Sequence, residues 1–182
     1  MSTAVVVIDM INTYDFPDAE KVVPNAQEIV PRLQALVERA REDGIPVIYV
    51  NDNYGDWNSS AEELMRTALD GEHPELVEAL RPGDDDAFVI KGRHSIFYGT
   101  PLEHLLKERG IDRLVMTGQV TEQCILYSAL DAHLRDIEVA VPRDAVAHIF
   151  DDLGDAALRM MERNMSADDV EPSESCLLSS DG

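Results

Sequence analysis

Five short apolar runs, each separated from the next by helical or polar sequence, restrict this chain to one kind of architecture. The runs are Ala4-Val5-Val6-Val7-Ile8, Pro46-Val47-Ile48-Tyr49-Val50, Ala87-Phe88-Val89-Ile90, Arg113-Leu114-Val115-Met116-Thr117 and Glu138-Val139-Ala140-Val141. They are mostly continuous rather than alternating and rich in β-branched residues. That pattern belongs to strands buried on both faces, as in a parallel sheet. Cys176-Leu177-Leu178 is expected to add a short sixth strand.

Helical patterns fill the intervals. From Asn25 to Asp43 the apolar positions Ile29, Val30, Leu33, Leu36, Val37 and Ala40 follow the spacing of one helix face, and Gly44 supplies the stop. Pro31 predicts a kink there or a later start. Thr100-Pro101-Leu102-Glu103 reads as a capped helix start that ends at Gly110. Thr121 to Arg135 and Asp151 to Asn164 are further helices. The Asn51 to Gly83 stretch breaks the rhythm with two short helical patterns, Ala61 to Leu69 and Pro74 to Leu80, and reads as a lid or an oligomer contact. Strands alternating with helices imply a three-layer α/β/α fold around a six-stranded, mostly parallel, Rossmann-like sheet. Length allows one domain, 1–182, with no internal repeat or linker.

Charge narrows the partners. The net charge is −21, so clustered cations for nucleic acid or an anionic membrane surface are not available. No apolar run reaches a membrane span and no secretion signal is visible, which leads to a cytoplasmic expectation. Two cysteines 52 positions apart, with no Cys/His cluster, read as separate thiols rather than a disulfide or a metal site. Cys176 is expected to be an inert structural thiol.

In sheets of this kind, sites form beyond the carboxyl ends of the strands, near the point where strand order reverses. Asp9 follows the first run, Asp52 the second, Lys91 the third, and Thr117-Gly118-Gln119-Val120-Thr121 leads from the fourth to Cys124. Singly, each has a plain structural reading: a capping carboxylate, a snorkelling lysine, a small buried thiol. Jointly they set an acid, a cation and a nucleophile at one edge of the sheet, as nucleophilic catalysis requires. Cys124 falls in the first turn of a helix, whose positive end favours a thiolate. No GxGxxG or phosphate-loop pattern follows any strand, which argues against a nucleotide-binding protein.

At these residues the chain resembles the isochorismatase-like cysteine hydrolases. Val6-Val7-Ile8-Asp9-Met10-Ile11-Asn12 is similar to that family's opening motif. Lys91-Gly92-Arg93-His94-Ser95-Ile96-Phe97 is similar to its lysine motif, and Thr117 through Cys124 to its nucleophile motif. The resemblance spans roughly residues 3 to 170. It implies an Asp9–Lys91–Cys124 triad, a cis peptide between Gln119 and Val120, and an oxyanion hole formed by the Val120 and Cys124 N–H groups. It also implies a dimer or tetramer. Tyr14, Phe16, Trp57, Phe97 and Tyr98 would build an aromatic pocket wall, and Gln119 would join them as a substrate-binding residue; ordinary core packing is the plain alternative for the aromatics.

Two departures refine the expectation. Nicotinamidases of the family hold a metal with an aspartate and histidines after the second strand. Here Asn51-Asp52-Asn53-Tyr54-Gly55-Asp56-Trp57 keeps the aspartate, and no histidine follows before His73. No metal or other cofactor is therefore expected, and Asp52 orders the loop or lines the pocket. True isochorismatases cleave a vinyl ether and lack the cysteine, whereas Cys124 is present. The expected activity is hydrolysis of a C–N bond in a small amide, ureido or carbamoyl compound, or cyclic amide, through a thioester. The alternatives are a non-catalytic binding module of the same fold and a vinyl-ether hydrolase.

Overall fold

A computed structural model of the chain describes residues 2–168 and 173–177. Six parallel strands form its sheet: β1 (Thr3–Ile8), β2 (Val47–Asp52), β3 (Ala87–Lys91), β4 (Arg113–Gln119), β5 (Glu138–Ala140) and β6 (Val146–Ala147). The order is β3-β2-β1-β4-β5, with β6 also pairing β4. Strand β5 pairs with Arg113–Val115 and β6 with Gly118–Gln119, so the two share one flank of β4 in succession. The order reverses between β1 and β4, and the switch point lies there.

Helices cover both faces. Even-numbered residues of β1 (Ala4, Val6, Ile8) face a core shared with α4 (Leu102–Arg109), α5 (Leu126–His133) and α6 (Asp151–Met165). The odd-numbered Val5 and Val7 face a second core shared with α1 (Ala19–Glu42) and α3 (Pro74–Ala79). This alternation is the two-residue period of a strand, apolar on both sides because both sides are covered.

Helix α1 departs from expectation. It begins at Ala19, before the expected start, and runs through Pro24 and Pro31. Val22, Val23, Ala26, Ile29, Val30 and Leu33 form a continuous buried face against the sheet. Packing of that face outweighs the hydrogen bonds that the prolines forgo. The sixth strand also differs: it is Val146–Ala147. Cys176 falls in a 3-10 turn, Ser173–Leu177, and Leu178 lies outside the described residues, as does the Cys176 side chain.

The Asn51 to Gly83 stretch holds α2 (Ala61–Leu69) and α3. Leu64, Ala68 and Val77 bury Ile11 in a small third core. The Glu72 N–H donates to the Thr13 carbonyl (3.2 Å), so the insertion packs down on the loop after β1. Among the described residues no helix is long and apolar enough to cross a membrane.

Candidate active site

The sheet register brings the strand-end residues together. Asp52 and Lys91 are direct partners across β2 and β3. Asp9 leaves β1 with a positive φ of 55° while its N–H still donates to the Val50 carbonyl. Asn51 then holds the outgoing chain as a strand would: its side-chain Oδ1 accepts from Ile11 N–H (3.1 Å) and its Nδ2 donates to the Ile11 carbonyl (3.0 Å). The Tyr54 hydroxyl donates to the same carbonyl at 3.0 Å.

On the other side of the switch point, β4 comes within van der Waals distance of β1 at Gly118. Its φ is 102°, and a Cβ there would lie 2.2 Å from the Ile8 carbonyl oxygen, so only glycine fits. The next peptide bond, Gln119–Val120, is cis. The chain then enters a π-helical turn, Thr121–Ile125, before becoming regular in α5. This differs from the uninterrupted α-helix expected from Thr121. The wider turn holds Cys124 at the strand ends, a placement seen for π-turns at functional sites. Glu122 anchors it: one carboxylate oxygen accepts from the N–H groups of Ile149 (2.9 Å) and Phe150 (3.0 Å) at the start of α6.

Asp9, Lys91 and Cys124 therefore converge. Lys91 Nζ lies 2.9 Å from Asp9 Oδ2, 3.3 Å from Asp52 Oδ2 and 3.6 Å from Cys124 Sγ. Asp9 Oδ1 accepts from the Asp52 N–H at 2.8 Å. Lys91 is 1% exposed, and Asp9 and Cys124 are each 7% exposed. Burial raises the Asp9 pKa above 3.8, against the pull of Lys91. Burial alone would lower the Lys91 pKa, but the charges of Asp9, Cys124 and Asp52 outweigh it, and the ammonium is held. Burial also raises the Cys124 pKa, and the Asp9 carboxylate adds to the effect while Lys91 opposes it. Burial thus favours the thiol form, against the pull of the helix start toward a thiolate.

The aromatic residues separate into two groups. Tyr14 is 1% exposed in the α1-side core, with its ring edge against His73, and Phe16 packs half-buried on the same core. Phe97 is buried in the opposite core, where the Arg135 guanidinium lies 4.9 Å from its ring centre. All three pack into the cores, Tyr14 and Phe97 buried and Phe16 partly so. Gln119 is buried beneath the site, donating to the Asp9 carbonyl at 2.8 Å. Trp57, 79% exposed, is different. With Asn53, Lys91, Gly92, Arg93 and Tyr98 it lines a cleft of about 350 Å³ that adjoins the Asp9–Lys91 pair. A larger cleft of about 580 Å³, between α1 and the Arg143–His148 stretch, is lined by none of the three converging residues. Among the described residues no group of three His, Cys, Asp or Glu side chains is arranged to hold a metal ion.

For His94 the sequence offers a substrate contact or, more simply, a polar loop residue; its Nδ1 lies 3.6 Å from Cys124 Sγ. Its ring meets Tyr127 edge-on at 5.5 Å. The following residue ties this loop to α5: Ser95 Oγ donates to Asp131 Oδ2, and Ile96 N–H donates to Ser128 Oγ at 3.1 Å. Its place three residues after Lys91 was the only available signal.

The isochorismatase domain model matches residues 3–169. The chain is 33% identical over 165 residues to the uncharacterized isochorismatase family protein YaaI of Bacillus subtilis (strain 168), covering 91% of both chains. It is 30% identical over 171 residues to the ureidoacrylate amidohydrolase RutB of Caulobacter vibrioides (strain ATCC 19089 / CIP 103742 / CB 15), covering 79% of this chain and 76% of that one. The crystal structure of N-carbamoylsarcosine amidase from Thermoplasma acidophilum superposes with a TM-score of 0.73 at 28% identity, over 92% of this chain and 95% of the other. Sequence, topology and strand-end geometry agree: the chain belongs to the isochorismatase family.

Proposed function

We propose that this protein is a cysteine amidohydrolase that cleaves a C–N bond of a small molecule, with ureido (N-carbamoyl) compounds as the first class to test. The observation that carries the reading is the convergence of Lys91 Nζ on Asp9 (2.9 Å) and on the Cys124 sulfur (3.6 Å) in an almost closed site. The ureido class is supported by two relatives at 28–30% identity whose names carry that group.

The electrostatics suit proton transfer between Cys124 and Asp9. Both pKa values are raised, so the carboxylate is a better base than a free one, and the thiol keeps its proton until a substrate arrives. Moving that proton from sulfur to Asp9 leaves the net charge of the buried cluster unchanged: a carboxylate beside the Lys91 ammonium is replaced by a thiolate beside it. Sulfur attacks the carbonyl carbon as the π electrons move to oxygen, where the Val120 and Cys124 N–H groups would stabilise them. Collapse breaks the C–N bond, and the Asp9 proton goes to the leaving amine. The thioester left on Cys124 is then hydrolysed.

A panel of ureido compounds and small amides, scored by ammonia or amine release, tests this. Cys124→Ala is expected to abolish release while keeping the fold, judged by circular dichroism, and the wild type is expected to show an acyl adduct in intact mass spectra. Full turnover by Cys124→Ala would refute the nucleophile assignment. A wild-type chain that releases no amine across the panel and forms no adduct would favour a binding module.

A further inference from the structure

The cleft beside the buried pair holds more than the three converging residues need. Gly92 follows Lys91 at the end of β3, and a Cβ there would lie 2.8 Å from Cη2 of Trp57, so the indole rests directly on the Gly92 backbone. Trp57 is nonetheless 79% exposed, which leaves most of its ring for another group to cover. Tyr98, also exposed, lines the cleft with it. Two exposed rings beside about 350 Å³ of space suit a small, partly apolar molecule.

Lys91 and Arg93 are the cations among the lining residues. The Lys91 ammonium is taken up by Asp9 at 2.9 Å and Asp52 at 3.3 Å. Arg93 is exposed, and its Nη1 donates to the Gly92 carbonyl at 3.1 Å. Among the described residues it forms no ion pair, in a chain with 36 acidic residues against 15 lysines and arginines. The carboxylate that shares the cleft, Asp56, is turned into its own loop, where Oδ1 accepts from the Asn58 N–H at 2.9 Å. A guanidinium carries five N–H donors, so most of those on Arg93 remain to be used.

We propose that Arg93 is a specificity-determining residue of this site and that the substrate is a ureido acid, with its carbamoyl group toward Cys124 and its carboxylate on the Arg93 guanidinium. The inference rests on the amidohydrolase reading above and names the substrate class within it. Guanidinium and carboxylate are planar groups that match through two parallel hydrogen bonds. The bond to the Gly92 carbonyl holds the guanidinium at the residue on which Trp57 rests, so the carbon chain between the two ends of the substrate would lie along the aromatic rings. The net charge of −21 acts at a distance against any anion, so selection of one must come from contact, and Arg93 supplies that contact.

N-carbamoylglycine, 3-ureidopropionate and 4-ureidobutyrate, each compared with its methyl ester, test the proposal without presupposing the length of the chain. Ammonia release gives kcat and KM, and protection of Cys124 from iodoacetamide reads binding without turnover. At least one acid is expected to have a KM roughly tenfold or more below that of its ester, and to protect Cys124 at a correspondingly lower concentration. Arg93→Gln is expected to raise the KM of that acid roughly ten- to a hundredfold with a much smaller effect on kcat, and so to erase the preference over the ester. Arg93→Lys, which keeps the charge but not the paired hydrogen bonds, should recover part of it. Equal KM values for acids and esters in the wild type, or an acid KM that does not move in Arg93→Gln, would overturn the role of Arg93 and leave the amidohydrolase reading intact. Protection by the acids that depends on Arg93, with no ammonia released from any compound, would overturn the amidohydrolase reading and leave a carboxylate-binding cleft. Neither release nor protection would overturn both.

Discussion

Lys91 is the residue on which the candidate site depends most. Its stem ends in an ammonium that is almost sealed from water and has carboxylates at 2.9 and 3.3 Å. A charge so placed is tolerated only with partners, and removing one side of such a pair leaves the other exposed to the full desolvation cost. Lys91→Met tests this through Asp9. Lys91 lowers the Asp9 pKa while burial raises it, so its loss moves the Asp9 pKa further up. A base must be ionised to accept the thiol proton. The acid limb of Cys124 alkylation by iodoacetamide is therefore expected above the ordinary carboxylate range in the wild type and higher still in Lys91→Met, with a slower plateau. An acid limb that stays in place in Lys91→Met would show that Asp9 does not govern the thiol. The sequence made Asp9, Lys91 and Cys124 visible because each follows or lies near the end of a buried run. It offered His94 as a substrate contact through its nearness to Lys91, but not its meeting with the sulfur, which depends on how the loop folds back onto α5, a matter of side chains 30 positions apart.

At the scale of elements, strands were more legible than helices and turns. Strands β1 to β4 are covered on both faces, so their composition shows through as apolar runs whose ends the structure moves by only a residue or two. Strand β6 has two residues, too few for a period, and its pairing is decided by the course of β4. Helix α1 hid its start because two prolines argue locally against a helix that tertiary packing nonetheless makes. The turn that carries Cys124 was legible in sequence but not in shape, since nothing in Thr121–Ile125 announces a π-turn. Its stability is testable through Glu122, whose single oxygen serves two N–H groups of the β6–α6 connection. Glu122→Ala leaves both donors without that acceptor and is expected to cost about 1–3 kcal/mol in chemical denaturation. Glu122→Gln retains a side-chain oxygen and should lose less than half of that. Equal losses in the two variants would mean that the carboxylate charge, and not the hydrogen bonds, fastens the turn to α6.

At the scale of the whole molecule the dominant fact is charge. The chain carries 36 acidic residues against 15 lysines and arginines, so even complete pairing leaves a large acidic surplus. Many of the ion pairs are exposed and local, such as Lys21–Asp18, Arg39–Asp43, Arg81–Glu78 and Lys107–Glu103, and solvent screening leaves each of them little weight in stability. Repulsion among the unpaired carboxylates acts over longer distances and destabilises the compact state. Screening shortens both effects, from a Debye length of about 30 Å at 0.01 M salt to about 3 Å at 1 M. The longer-ranged repulsion loses more. Thermal unfolding is therefore expected to shift upward by several degrees between low and high sodium chloride, with chloride chosen because sulfate also strengthens apolar burial by exclusion. The net charge of −21 opposes the approach of an anion, so kcat/KM for a carboxylate-bearing ureido compound is expected to rise with salt while that for a neutral one stays level. A melting temperature that falls as chloride is added would mean that the local pairs outweigh the surplus, and the chain would then gain stability from its charges rather than fold against them.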